Sequence, residues 1–291
     1  PDALVVGFDS TAPLERSAAY PAYKAGRPPK SAELVDQLAG AADLLRSAGV
    51  CVVQHDGHEA DDVLASATSL ARDSGWRCAV VTSDRDSFAL IDDSTAVLRV
   101  ISGGIDNAPL LTAARLPAAC GVRAGQYRDY AAVRGDSSDN LPGAHGIGAR
   151  TAARLLAVFD RVADAFAALD SGREADVVAA VGRGAARKLA DPTARANVVR
   201  NLELMAMRHD LPLPPLTAMH LPLDVPTLHA GLATRDIRLG PSLWALTGAP
   251  PPGSDWTSWQ AEQHDLPDVV AAPAPVAAQQ VTEPEPQLTL F

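Results

Sequence analysis

His55-Asp-Gly-His-Glu59-Ala-Asp61-Asp62 is the stretch whose reading decides the fold. It follows an apolar run, Val50–Val53, that reads as a buried strand. It opens an amphipathic helix expected to run from Glu59 to Asp73, with Gly75 beyond its end. Ala60, Val63, Leu64, Ala67, Leu70 and Ala71 recur at helical spacing and are expected to face a core. Glu59 and Asp62, three apart, share a face, with Asp61 beside them. Acids in a first helical turn suit the helix dipole, so this stretch alone carries two readings: a dipole-matched helix start, or part of a cation site.

Other acids favour the second reading. Val5-Val-Gly-Phe-Asp9 and Val80-Val-Thr-Ser-Asp84-Arg-Asp86 end apolar runs, and Gly135-Asp136-Ser-Ser-Asp139-Asn140 lies in a turn-rich loop. Carboxylates at the carboxyl ends of buried strands and at a helix start converge in an open α/β sheet. Two carboxylates about 4 Å apart repel by roughly 4 kcal/mol at a surface-like dielectric. Several such pairs need cations to stay ionised together, and oxygen-only ligation points to Mg²⁺ or Mn²⁺ rather than zinc.

Outward from this centre, strands are expected over 3–8, 77–82 and 95–101. A helix is expected from the N-cap Ser31 to Ala48, with Leu34, Leu38, Ala41, Ala42 and Leu45 as its apolar stripe and Gly49 ending it. Strands alternating with helices in this way make a parallel α/β sheet. Between Ala18 and Lys30, Tyr20, Tyr23, Lys24, Arg27 and a Pro-Pro pair mark an exposed segment. It reads either as an ordinary loop or as an element that places Lys24 and Arg27 on phosphates and stacks Tyr20 or Tyr23 on a base.

After Gly104 the pattern turns helical. Residues 109–133 read as helix with a break over 117–121. Gly146-Ile147-Gly148 reads as a tight hairpin between helices, anchored by the apolar Leu141 and Ile147. The following helix would present its first amides, with Arg150 and Arg154 one turn apart, to an anion. That is the form of a helix-hairpin-helix element gripping a DNA backbone without reading bases; the alternative is a plain helix–helix turn. Arg183, Arg187, Lys188, Arg195 and Arg200 either extend this basic face or form an ordinary solvated one.

The 291 residues suit one large domain or two modest ones. A net charge of −10 taken alone argues against a nucleic-acid partner, but a metal site and an acidic tail both contribute to it, so its distribution decides. Cys51, Cys78 and Cys120 read as buried free thiols of a reducing compartment. No run reaches membrane-spanning length, and no signal peptide is read. The chain begins at Pro1 rather than Met, which reads as a processed or truncated product. Residues 249–286, rich in Pro, Ala, Gln and acids, read as a disordered linker in which Trp256 and Trp259 are local exceptions. The apolar cluster Gln287-Leu-Thr-Leu-Phe291 follows it.

Taken in order, Glu59-Ala-Asp-Asp62, Thr82-Ser-Asp84-Arg-Asp86 and Gly135-Asp-Ser-Ser-Asp-Asn-Leu-Pro-Gly-Ala-His-Gly-Ile-Gly148 resemble the bacterial 5′-nucleases. These are the flap endonucleases and the 5′–3′ exonuclease domain of DNA polymerase I. Tyr23-Lys24-Ala-Gly-Arg27-Pro matches the base of that family's helical arch, and the resemblance covers residues 3–248. It implies a PIN-like α/β nuclease fold with a helical arch, followed by a helical helix-hairpin-helix region. It implies that Asp9, Glu59, Asp61, Asp62, Asp84, Asp86, Asp136 and Asp139 carry two or more Mg²⁺ or Mn²⁺ ions. It implies that Tyr23, Lys24 and Arg27 line a threading gateway, with Lys24 and Arg27 acting on the scissile phosphate. Gly146, Ile147, Gly148 and Arg150 would bind duplex phosphates, with K⁺ held by hairpin carbonyls. Gln287, Leu288, Leu290 and Phe291 look like the peptide by which bacterial replication proteins dock on the sliding clamp.

In one respect the sequence departs from the family, whose members begin with a strand ending in Asp-Gly well upstream of the position of Asp9. The expected organisation is therefore a nuclease core with arch over 1–104 lacking that strand, a helical region over 105–248, a linker over 249–286 and a clamp-binding peptide over 287–291. The expected protein is a monomeric, cytoplasmic, nucleoid-associated, metal-dependent 5′–3′ exonuclease and flap endonuclease that hydrolyses DNA with 5′ flaps, ends or nicks in replication and repair. The alternative is a catalytically impaired DNA-junction binder tethered to the clamp. A related ribonuclease is the third reading, which the helix-hairpin-helix element argues against.

Overall fold

The structure, a computed structural model, describes residues 1–101, 104–105, 107–250 and 253. The readings made for most of the 249–286 linker, for Trp256 and Trp259, and for Gln287–Phe291 lie outside the described residues.

The β-branched run at the start of the chain forms strand β1 (Val5–Phe8). The chain then turns through a short helix α1 (Glu15–Ala19) into α2 (Ala32–Ser47) and returns as β2 (Cys51–Gln54), parallel to β1. Helix α3 (Ala60–Asp73) crosses to β3 (Cys78–Thr82), which pairs in parallel with β4 (Thr95–Arg99). A two-residue strand β5 (Leu110–Leu111) adds antiparallel to β4. The expected parallel sheet is thus present as two hydrogen-bonded groups, β1-β2 and β3-β4-β5, and α3 packs against both.

Two short helices, α4 (Leu116–Cys120) and α5 (Tyr127–Arg134), lead to a small hairpin of β6 (Gly135–Asp136) and β7 (Leu141–Pro142). The helical region follows: α6 (Ala149–Val158), α7 (Val162–Asp170), α8 (Glu174–Val181), α9 (Arg183–Leu189) and α10 (Pro192–Leu204). Helices α11 (Val225–Ala233) and α12 (Pro241–Trp244) come last.

One core runs from Val80 and Val97 of the sheet through Phe88 and Tyr127 to Leu155, Val177 and Val198 of the helices. The acid-bearing turn after β3 and the helical region are therefore fixed to each other by continuous packing. A second core joins Val50 and Ala48 to Leu228 and Leu232, where α11 lies across the end of α2.

Three sequence expectations change. Leu34 and Leu38 of the α2 stripe are 42% and 38% exposed, and Ala42 is the buried member of that helix, because the core shared with α11 forms at the helix's C-terminal end, at Leu44, Leu45 and Ala48. Residues 110–111 form a strand rather than helix, and the expected break at 117–121 is the helix α4. Pro117 sits in that helix's first turn, where its missing N–H costs nothing, and Gly121 ends it at φ +76°. The three cysteines are free as expected, but half-buried rather than buried. Among the described residues no helix is long and apolar enough to cross a membrane.

Candidate active site

The start of α3 sets the site. Asp62 accepts the Glu59 amide at 3.0 Å and so closes the helix's first turn. Its oxygens also accept both terminal nitrogens of Arg16 at 2.6 and 2.7 Å, and the Arg208 amide at 2.9 Å. Asp62 is fully buried, and although burial opposes its charge, the Arg16 and Arg208 hydrogen bonds hold its carboxyl below the usual range. Both of its oxygens are thus hydrogen-bonded within the protein. Arg16 also donates to the carbonyls of Leu204 and Ala206, tying the segment before the gateway to the end of α10.

Asp9 lies beside the start of α3. Its carboxylate accepts the Ala60 amide at 3.0 Å and lies 4.0 Å from Lys30, so it caps α3 from the outside.

The remaining six acids share one electrostatic neighbourhood. Asp86, at the end of the turn after β3, has its pKa pushed up to about 7 by burial and by Asp84, Asp136, Asp139 and Asp61. Burial, Asp84 and Glu59 likewise raise Asp61 to about 6 against a 3.2 Å hydrogen bond from Ser87. Asp84 accepts the Asp86 amide at 2.9 Å, and Asp136 accepts the amide and hydroxyl of Ser138 at 2.7 and 2.6 Å. These are Asx turns that aim carboxylates inward from short loops.

Basic side chains from the gateway segment are turned into this cluster. Lys24 pairs with Glu59 and lies 3.8 Å from Asp139, and Arg27 reaches Asp139 at 2.5 Å. Arg16 meets Glu59 at 3.1 Å. Lys24 adopts φ +55°, a left-handed conformation uncommon for a side-chain-bearing residue. It is held there because its amide donates to the Asp139 carbonyl at 3.0 Å, while Asn140 Nδ2 donates to the Ala22 carbonyl at 2.8 Å. Gateway and loop are thereby one unit. Behind them Gly135 and Gly143 cross so closely that a Cβ on Gly135 would lie 2.4 Å from the Gly143 nitrogen.

Tyr23 differs from expectation. Its ring is buried, and its hydroxyl donates to Glu59 at 2.8 Å and to Asp139 at 3.2 Å. Burial and these two carboxylates raise its pKa, so it stays a neutral donor. It is a strut between two acids, not a surface for a base. Tyr20 is covered too: Arg200 lies 4.3 Å over its ring. His55 bonds the Pro212 carbonyl, and His58 lies between Glu15 and Asp62.

Among the described residues no three acidic, histidine or cysteine side chains form a ready metal cage. With Glu59 and Asp139 drawn onto Lys24 and Arg27, side-chain cations provide the compensation. The donor set itself, six carboxylates with two raised pKa values, is all hard oxygen and fits Mg²⁺ or Mn²⁺.

The Gly146-Ile147-Gly148 turn is present, with Ile147 and Leu141 buried as expected. It is preceded by the β6–β7 hairpin rather than directly by a helix. Arg150 is exposed on the first turn of α6, and Arg154 is spent on the Ala180 carbonyl. Of the more distant cations, Arg195 pairs with Asp170 and Arg200 with Asn197, while Lys188 returns to the Gly146 carbonyl. Arg16 and Ser87 were invisible in the sequence: Arg16 lies 43 and 46 residues from its acidic partners, and no local pattern marks it.

The raised pKa of Asp86 yields a signed expectation. A carboxyl that protonates more readily when folded destabilises the fold as pH climbs from about 4 to about 7, the interval over which only the unfolded chain has lost the proton. In chelator-treated protein, Asp86→Asn should therefore raise the thermal midpoint at pH 8 and give no advantage at pH 4. Thermal melts across that range check it.

Comparison with known proteins places the chain's two regions in one family. Residues 1–121 match the family described as 5′-3′ exonuclease, N-terminal resolvase-like domain, and residues 122–224 match 5′-3′ exonuclease, C-terminal SAM fold. The chain is 41% identical over 155 residues to the thermostable DNA polymerase I of Thermus aquaticus, covering 53% of this chain and 18% of that protein. It is 34% identical over 213 residues to DNA polymerase I of Mycobacterium bovis, covering 73% of this chain and 22% of that protein. It therefore spans about a fifth of the length of these relatives. A structure of T5 5′-exonuclease with divalent metal ions (zinc) bound shares the fold, with a TM-score of 0.53 at 19% identity over 69% of this chain and 73% of that one. The two family matches together span most of the described residues, and the chain belongs to the 5′-3′ exonuclease family.

Proposed function

We propose that this chain is a structure-specific, divalent-metal-dependent 5′–3′ exonuclease and flap endonuclease that hydrolyses phosphodiester bonds of DNA at 5′ flaps, ends and nicks in replication and repair. The observation that carries the reading is the six-carboxylate cluster with Lys24 and Arg27 directed into it. Family membership and the zinc-bound T5 5′-exonuclease support it.

Glu59, Asp61, Asp84, Asp86, Asp136 and Asp139 would hold the metal. Bound there, divalent ions supply a nucleophilic water at neutral pH and neutralise charge at the leaving oxygen. Lys24 and Arg27, directed into the cluster, would grip and orient the scissile phosphate. Tyr23 keeps Glu59 and Asp139 in register through its shared hydroxyl. Duplex DNA would rest on the Gly146–Arg150 turn through backbone phosphates. Arg150 and Lys188 would supply positive charge at that turn. The protein acts as a monomer in the cytoplasm, associated with the nucleoid.

Cleavage of a labelled 5′-flap duplex in Mg²⁺ tests this. Asp136→Asn should lower turnover by at least about 100-fold while flap binding in Ca²⁺ is retained. Lys24→Ala should lower turnover far more than duplex affinity, because a group poised at the scissile phosphate acts on the transition state. Flap binding by the wild type without Mg²⁺-dependent turnover would overturn the catalytic reading.

The terminal Gln287-Leu288-Thr-Leu290-Phe291 completes the proposal as a peptide that docks on the bacterial sliding clamp. Leu288, Leu290 and Phe291 would be apolar anchors and Gln287 the polar contact. Tethering raises the local concentration of nuclease at replication sites. A fluorescent peptide spanning residues 280–291 should bind the clamp saturably, and one with all three anchors changed to Ala should not; equal binding by both refutes it.

A further inference from the structure

Lys188 does not behave like its neighbours. Around the helical region several basic residues pair with carboxylates: Arg123 with Asp160, Arg161 with Asp129, Arg173 with Asp176 and Arg195 with Asp170. Lys188, Arg183 and Arg187 of α9 and Arg150 of α6 are exposed, and among the described residues none has a carboxylate within salt-bridge distance. Instead Lys188 Nζ donates to the Gly146 carbonyl at 3.4 Å. Gly146 sits at φ +72°, and a Cβ there would meet Lys188 Nζ at 2.2 Å and its Cε at 3.1 Å. The absent side chain is what lets the ammonium settle against the turn. Helix α9 packs on α8, and α8 on α6, so the lysine is brought to the hairpin by rigid elements.

A lysine that forgoes a carboxylate for a backbone carbonyl leaves its charge uncompensated. The turn has no side chain capping the first amides of α6, so carbonyl-bound ammonium and open amides stand side by side. Both favour an anion, and a regularly spaced row of phosphates would engage them together.

We propose that Lys188 is a phosphate-contacting residue of the duplex-binding surface. Its ammonium is the hairpin's built-in cation, held on the Gly146 carbonyl where a free alkali-metal ion could otherwise bind, and it joins α9, with Arg183 and Arg187, to the grip of Arg150. This rests on the proposed DNA-binding reading and adds to it a specific residue, a second helix and independence from the identity of the monovalent salt.

The test is equilibrium binding of a labelled duplex to the full chain in Ca²⁺, across a salt series in potassium chloride and in tetramethylammonium chloride at matched ionic strength. The wild type should bind equally in the two salts. Lys188→Met should bind roughly tenfold more weakly in tetramethylammonium, with its salt slope reduced by about one unit. In potassium part of the loss should return, and Lys188→Arg should stay near wild type. Unchanged binding by Lys188→Met in both salts, or a wild type that itself needs potassium, would overturn the inference. Arg150→Ala separates the two levels: if it weakens binding while Lys188→Met does not, the hairpin reading stands and only the role of Lys188 falls. If neither matters, the hairpin reading falls as well.

Discussion

Six carboxylates gathered at the ends of short loops cannot all be ionised without positive charge among them, and the rest of this structure answers to that constraint. Burial and mutual repulsion lift Asp86 to about 7 and Asp61 to about 6. Glu59 and Asp139 take cationic partners from the gateway segment. The gateway is therefore held to the acids electrostatically, and bound divalent cations would compete with it for the same oxygens.

Two anchors keep the arrangement from collapsing. Arg16 grips Asp62 and two carbonyls at the end of α10, so the first turn of α3 is tied to the helical region. The crossing of Gly135 and Gly143 places the loop bearing Asp136 and Asp139, and that loop's backbone pins Lys24 in its left-handed conformation. A strained residue at the point of chemistry persists only when its surroundings over-determine it, as they do here.

Much of this was legible in the sequence because it is periodic or local. The strand runs, the Ser31 cap and the Asx-rich turns each declare themselves within a few residues. The α3 stripe does so only in part: Val63 and Ala71 are buried as expected, but Ala60, Leu64, Ala67 and Leu70 are half-buried and Ser66, Thr68 and Ser69 take the buried face. Asp84 and Asp86 stood out at the end of an apolar run, and Asp136 and Asp139 in a turn-rich loop. The partners of Asp62 and Asp9 were not legible, because Arg16 and the Ala60 amide lie far from them in sequence. Tyr23 was read as exposed because its neighbours are charged and proline-rich, yet its hydroxyl is needed between Glu59 and Asp139. The lysine on Gly146 was unreadable for the same cause, since its partner lies 42 residues away.

The central claim is that the site these six acids gather binds divalent cations. Substoichiometric Mn²⁺ added to isotopically labelled protein tests it directly through paramagnetic broadening of backbone amides. The account predicts selective loss of signal at Asp61, Asp84–Ser87 and Asp136–Asp139, reversed by excess Mg²⁺. Broadening centred on the Asp9–Lys30 contact, or no selective broadening at all, would contradict it.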